Sequence, residues 1–115
     1  RKDLWGYAQQ ENLSNEDLVQ EKYMGIRPAP GYPACPEHSI KEEIFSFLQT
    51  DEIGMSLTES YAMIPASSVS GFYFAHPDST YFSVDKIDLD QVEDFAKRAQ
   101  VSLDQARRLL ATHIK

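Results

Sequence analysis

Residues 57–84, LTESYAMIPASSVSGFYFAHPDSTYFSV (Leu57–Val84), decide the fold class. The stretch is dense in aromatic and β-branched side chains, which suit a pleated, half-buried surface. PASS (Pro65–Ser68) and HPDS (His76–Ser79) interrupt it with turn-forming residues. The spacing predicts three antiparallel strands, near Glu59–Met63, Ser70–Ala75 and Tyr81–Val84. Tyr81 and Phe82 then face opposite sides of the last strand, either as two ordinary strand aromatics or with one toward a core and one able to stack on a flat ligand.

Outward from this centre the pattern turns helical. In LSNEDLVQEKYMG (Leu13–Gly25), Ser14 and Asp17 form a capping box and Gly25 suits a C-terminal cap, which predicts a helix over Asn15–Met24. Ser39 with Glu42 opens a second helix, with Ile44, Phe45 and Leu48 as its apolar stripe and an end near Gln49 or Thr50. Beyond the strands, Asp88 with Gln91 and Ser102 with Gln105 open two further helices. So few residues separate them that an αα-hairpin or a sharply bent pair is expected. The order of elements gives an α+β fold: a small antiparallel sheet with flanking helices.

Between the first two helices lies GIRPAPGYPACPEHS (Gly25–Ser39), with four of the six prolines and the sole cysteine. Pro28, Pro30 and Pro33 fix their own φ angles and hold the preceding residues extended, so backbone carbonyls remain free to accept hydrogen bonds. Gly31 admits close approach to the main chain. Arg27 offers a planar fork that matches a carboxylate. Two readings stand side by side: a rigid ligand-holding loop, or a proline-rich connector packed over the core. Cys35 lies between prolines with only His38 as a nearby base, and reads as a small apolar residue rather than a nucleophile. His38 and His76 lack metal spacing, so no metal is assigned. Arg107 and Arg108 read as a solvated helix face.

Composition narrows the partners. At 115 residues, the chain is one domain or a piece of one, and it opens at Arg1 rather than at a methionine. A formal net charge of −7 argues against nucleic acid and anionic membranes, which need a basic patch. No apolar run is long enough to span a bilayer. A single cysteine excludes an internal disulfide and a cysteine zinc cage, and fits a reducing, cytoplasmic setting. No nucleophile–base motif or phosphate-cradling glycine loop is present. The residues by themselves leave the function open between a small-ligand module and a protein-interaction module.

LWGYA, LSNEDL, EKYMGIRPAPGYPACPEH, LTESYAM, SSVSGFYFAHPDSTYF and DQVEDFAKR follow one another along nearly the whole chain. In that order they resemble the C-terminal activation domain of cobalamin-dependent methionine synthase. The family's S-adenosylmethionine signature, Arg-x-x-x-Gly-Tyr, reads here Arg27-Pro28-Ala29-Pro30-Gly31-Tyr32. The family domain is longer than this chain and carries further acidic ligand contacts upstream, so the chain is similar to its C-terminal portion.

The resemblance implies a part of a methyltransferase that moves methyl groups from methyltetrahydrofolate to homocysteine. Its activation domain binds S-adenosylmethionine and restores oxidised cob(II)alamin by reductive methylation. It implies ligand-binding roles for Glu21, Arg27, Ala29, Gly31, Tyr81 and Phe82, and a catalytic place for Tyr32 beside the sulfonium and the corrin. The implied partners are the cobalamin-binding domain of the same enzyme and flavodoxin or a related flavoprotein. Cobalamin and zinc belong to other domains, and the family's cobalamin-ligating Asp-x-His-x-x-Gly loop is absent here. The chain alone is expected to be inactive. The alternatives are a module that docks flavodoxin or the cobalamin domain without holding the ligand, and a separate reactivase acting in trans.

Overall fold

The computed structural model describes Asp3 and residues 8–115; most of the LWGYA block lies outside the described residues. Two compact units emerge, one of Arg1–Arg27 with Phe72–Tyr81 and one of Pro28–Gly71 with Phe82–Lys115.

In the first unit, helix α1 spans Asn15–Val19. Its start follows the expected box: Ser14 Oγ accepts from the Asp17 N–H and Asp17 Oδ2 accepts from the Ser14 N–H, both at 3.1 Å. Its end comes five residues before the expected one. Glu21 adopts a left-handed backbone (φ 56°), its N–H bonds back to Leu18 O, and the Lys22 N–H reaches Asp17 O at 3.0 Å. That reciprocal pair is the Schellman stop, made here by a glutamate in the place glycine usually takes. The chain then turns at Gly25 (φ 79°), where an added Cβ would run into the Phe74 carbonyl. Ile26, buried, pairs antiparallel with Phe74 through two backbone bonds of 3.1 and 3.0 Å. The strand expected over Ser70–Ala75 is thus reduced to one bridge.

In the second unit, helix α2 spans Ile40–Leu48 and buries Lys41 and Phe45. Its start differs from the expected box. Ser39 is already helical (φ −68°, ψ −22°), so its side chain cannot cap, and the Glu37 carboxylate accepts from the N–H groups of Ser39 and Ile40 instead. A left-handed Gln49 ends the helix and leads into a 3-10 turn, Thr50–Ile53. Strand β1 (Ser56–Leu57) pairs antiparallel with β2 (Met63–Ile64) in the register Ser56↔Ile64, Leu57↔Met63. Most of the strand expected at Glu59–Met63 is instead the connecting turn, held by Thr58, which accepts from Tyr61 N–H through its carbonyl and from Ala62 N–H through its hydroxyl. No ladder forms over Tyr81–Val84; its only backbone bond among the described residues runs from Val84 N–H to Pro33 O at 2.8 Å.

The same unit ends in the expected helical hairpin, α3 (Leu89–Ala99) and α4 (Leu103–Leu109). Val92, Ala96, Ala106 and Leu110 are its buried centre, flanked by Ile87, Phe95, Val101, Leu103 and Ile114. Alanines on both facing helices let the backbones approach. The Ser102 hydroxyl caps α4 by accepting from Gln105 N–H. The tail folds back so that Ile87 N–H donates to His113 O and Lys115 N–H to Ile87 O, which closes the hairpin's open end.

Candidate functional site

Arg27 stands at the end of the first unit, one residue past the Ile26–Phe74 bridge. That antiparallel register places Tyr73 opposite Arg27. The Arg27 N–H donates to Tyr81 Oη at 2.8 Å, and the guanidinium carbon lies 5.5 Å from the centre of the Tyr23 ring. Desolvation works against the arginine's charge. Hydrogen bonds to Tyr73 and Tyr23 outweigh it, so the group is held above its ordinary pKa and stays a cation. Burial first, and then a hydrogen bond with Tyr81 and the nearby Glu21 charge, push the Tyr23 phenol above its usual range. Two phenols, Tyr23 and Tyr73, therefore bond the cation while Tyr81 holds its backbone, and no carboxylate pairs with it among the described residues. A guanidinium has five donors, so capacity for an incoming carboxylate remains.

Of the residues that the resemblance singled out, Glu21, Arg27 and Tyr81 fall in this unit. Glu21 is exposed, and its left-handed backbone sets the turn that leads to Tyr23. Tyr23 and Tyr73 were missed in the sequence. The signal for Tyr73 was register: once Ile26 faces Phe74, Arg27 must face Tyr73. Tyr23 offered only its place four residues before Arg27.

Ala29, Gly31, Tyr32 and Phe82 belong to the second unit. There the proline loop is tied to itself. Gly31 N–H donates to Cys35 O and Cys35 N–H to Tyr32 O, both at 2.8 Å, and Tyr32 N–H reaches Ala29 O at 3.2 Å. The Ala29 carbonyl keeps a second lone pair for another donor. Gly31 (φ 94°) has the His38 ring where a side chain would stand, so its lack of a Cβ first serves the loop's own packing. Gly71 likewise abuts Pro28 O and Ala29. Tyr32 is 67% exposed and borders an open cleft of about 530 Å³, also lined by His38, Val84, Arg108 and His113. Phe82 is exposed. Burial, then the Glu37 charge, raises the Cys35 thiol pKa, which opposes a nucleophilic role.

A family model described as "Vitamin B12 dependent methionine synthase, activation domain" matches residues 1–100. A solved structure, "Crystal Structure of the MetH Reactivation Domain bound to AdoHcy", is similar at a TM-score of 0.92 and 56% sequence identity, over 99% of this chain and 35% of that chain. The chain thus spans about a third of the length of that relative.

Proposed function

The chain belongs to the activation-domain family of vitamin B12-dependent methionine synthase, and from that premise we propose that it binds S-adenosylmethionine and supports the reductive methylation that returns the enzyme to activity. The observation that carries this reading is the Arg27 cation, bonded to Tyr23 and Tyr73 and met by no carboxylate among the described residues. It fits an amino-acid carboxylate, because a bidentate guanidinium–carboxylate pair is among the strongest polar contacts available. The aromatic faces suit the rest of the ligand: a purine stacks on them, and a sulfonium cation is drawn to their negative centres. The relative's bound AdoHcy is the product that S-adenosylmethionine leaves once its methyl group has gone.

In this reading Arg27 grips the carboxylate, Tyr81 and Phe82 flank the ligand, Glu21 supports the turn behind Tyr23, and the carbonyl of Ala29 accepts from a ligand donor. Gly31 keeps the backbone close, and Tyr32 stands where the methyl group departs. Cobalamin, which another domain of the enzyme would hold, would supply the methyl-accepting cobalt chemistry, with a flavodoxin-type protein as the reductant. These residues bind and align; the reactivity belongs to the sulfonium and the cobalt. The setting is the cytoplasm, with the cobalamin-binding domain and the reductant as partners. Calorimetric titration of the chain with S-adenosylmethionine and with S-adenosylhomocysteine tests the binding step. Saturable one-to-one binding of both, lost in Arg27→Ala, is expected; binding of neither by the protein at its full length rejects the reading.

A further inference from the structure

Lys41 is the least expected residue of the second unit's interior. It is 5% exposed, yet no carboxylate meets it among the described residues. Its Nζ has two partners, Tyr61 O at 2.8 Å and His38 Nδ1 at 2.9 Å. An ammonium has donors only, so Nδ1 of His38 must accept and the ring's own proton must sit on Nε2. The edge of that same ring occupies the space beside Gly31 where a Cβ would be. Gly31 and Tyr32 are in turn tied to Cys35 by the two 2.8 Å backbone bonds. A buried cation, an imidazole and a side-chain-free backbone position thus stand in series behind the turn that carries Tyr32.

We propose that His38 is a positioning residue for Tyr32: Lys41 fixes the orientation and tautomer of the His38 ring, and the ring braces the Gly31–Tyr32 turn at the mouth of the cleft. This rests on the proposed function only for what Tyr32 is positioned to do. Burial and the bond to Tyr61 O hold the Lys41 Nζ in place, so that it fixes the ring as a freely rotating side chain could not. Gly31 is glycine on two counts: its φ of 94° and the imidazole against it.

The test is long-range proton–nitrogen NMR of the protein labelled on histidine, with no ligand present. His38 is expected as the Nε2–H tautomer, with Nδ1 shifted as a hydrogen-bond acceptor. Lys41→Met, which keeps the length and removes the ammonium, is expected to give mixed tautomers and to move or broaden the Tyr32 ring signals. A wild-type proton on Nδ1, or a Lys41→Met spectrum unchanged at both residues, overturns the proposal. If Lys41→Met does not fold, His38→Asn is read instead. Its side-chain oxygen can still accept from Lys41, but no ring then meets Gly31. A brace predicts that His38→Asn melts near the wild type while the rate of reductive reactivation by S-adenosylmethionine in the whole enzyme falls roughly tenfold to a hundredfold at little-changed affinity for S-adenosylmethionine, as expected when a reacting arrangement is displaced by about an ångström. An unchanged reactivation rate in His38→Asn overturns it. Because the spectra need no ligand, failure to bind S-adenosylmethionine counts against the proposed function and leaves the brace to be judged by NMR.

Discussion

Arg27 is a single side chain on which binding and stability separate. It is exposed at the end of a bridge, and its contacts are to phenols rather than to the core. Removing it should leave the melting temperature nearly unchanged. Removing one partner of a desolvated charge pair costs about 2–5 kcal/mol, so Arg27→Ala should weaken S-adenosylmethionine binding by roughly 30-fold or more in a calorimetric titration. Arg27→Lys should also lose affinity, since a point charge cannot reproduce the two-pronged contact. Tyr23 gives a prediction in pH. Its pKa is raised in the folded state, so between the unfolded value of about 10 and the folded value the native protein holds more protons than the unfolded one. The stabilisation is complete below about pH 10 and is lost as the pH rises through the folded pKa. Phenolate absorbance should show one tyrosine ionising late, and Tyr23→Phe should remove that step together with its share of the alkaline loss of stability.

Helix α2 shows how far element boundaries and burial depart from what a periodic pattern conveys. Its stripe of Ile44, Phe45 and Leu48 was legible in the sequence, yet the buried residues are Lys41 and Phe45, while Phe47 is 86% and Leu48 62% exposed. Periodicity marks an apolar face; it does not say which part of that face a given chain covers. Phe45→Ala should therefore cost about 3–5 kcal/mol in denaturant unfolding, and Phe47→Ala should stay within about 0.5 kcal/mol. Equal effects would mean that the helix sits differently. The two C-terminal helices were legible, because their start signals and apolar spacing agree with what Val92, Ala96, Ala106 and Leu110 do in the core; that they close as a hairpin rather than a sharp bend was not. Two kinds of feature were not legible. Boundaries set by a left-handed non-glycine residue, such as Glu21, carry no composition signal. The aromatic centre reads as strand by propensity, but there Thr58 and the Ile26–Phe74 bridge take the backbone groups that a ladder would need. The Arg27–Tyr32 signature was readable through family resemblance. The brace behind it was not, because Lys41, His38 and Gly31 meet only after α2 has formed.

Across the molecule, far fewer large apolar side chains are buried than exposed among the described residues. Ile26, Phe45, Val92 and Leu110 are inside, whereas Val19, Phe47, Ile53 and Val69 are each more than 70% exposed. Single exposed apolar residues are ordinary; where such residues join into one patch they mark surface that associates. The net charge of −7 opposes that association through mutual repulsion, and salt screens repulsion over about 8–10 Å at physiological ionic strength. The two effects together predict a chain that stays monomeric at low salt and self-associates as salt is added. Sedimentation at rising ionic strength should show the shift, and a dye that fluoresces on apolar surface should bind to the native protein. The double variant Phe47→Ser with Ile53→Ser should weaken both signals while unfolding at nearly the same denaturant concentration, because neither side chain is covered in the folded chain. Association caused by partial unfolding would behave otherwise, falling with any change that raises stability and ignoring these two positions. A monomer at all salt concentrations with no dye binding would mean that the exposed apolar side chains form no continuous surface.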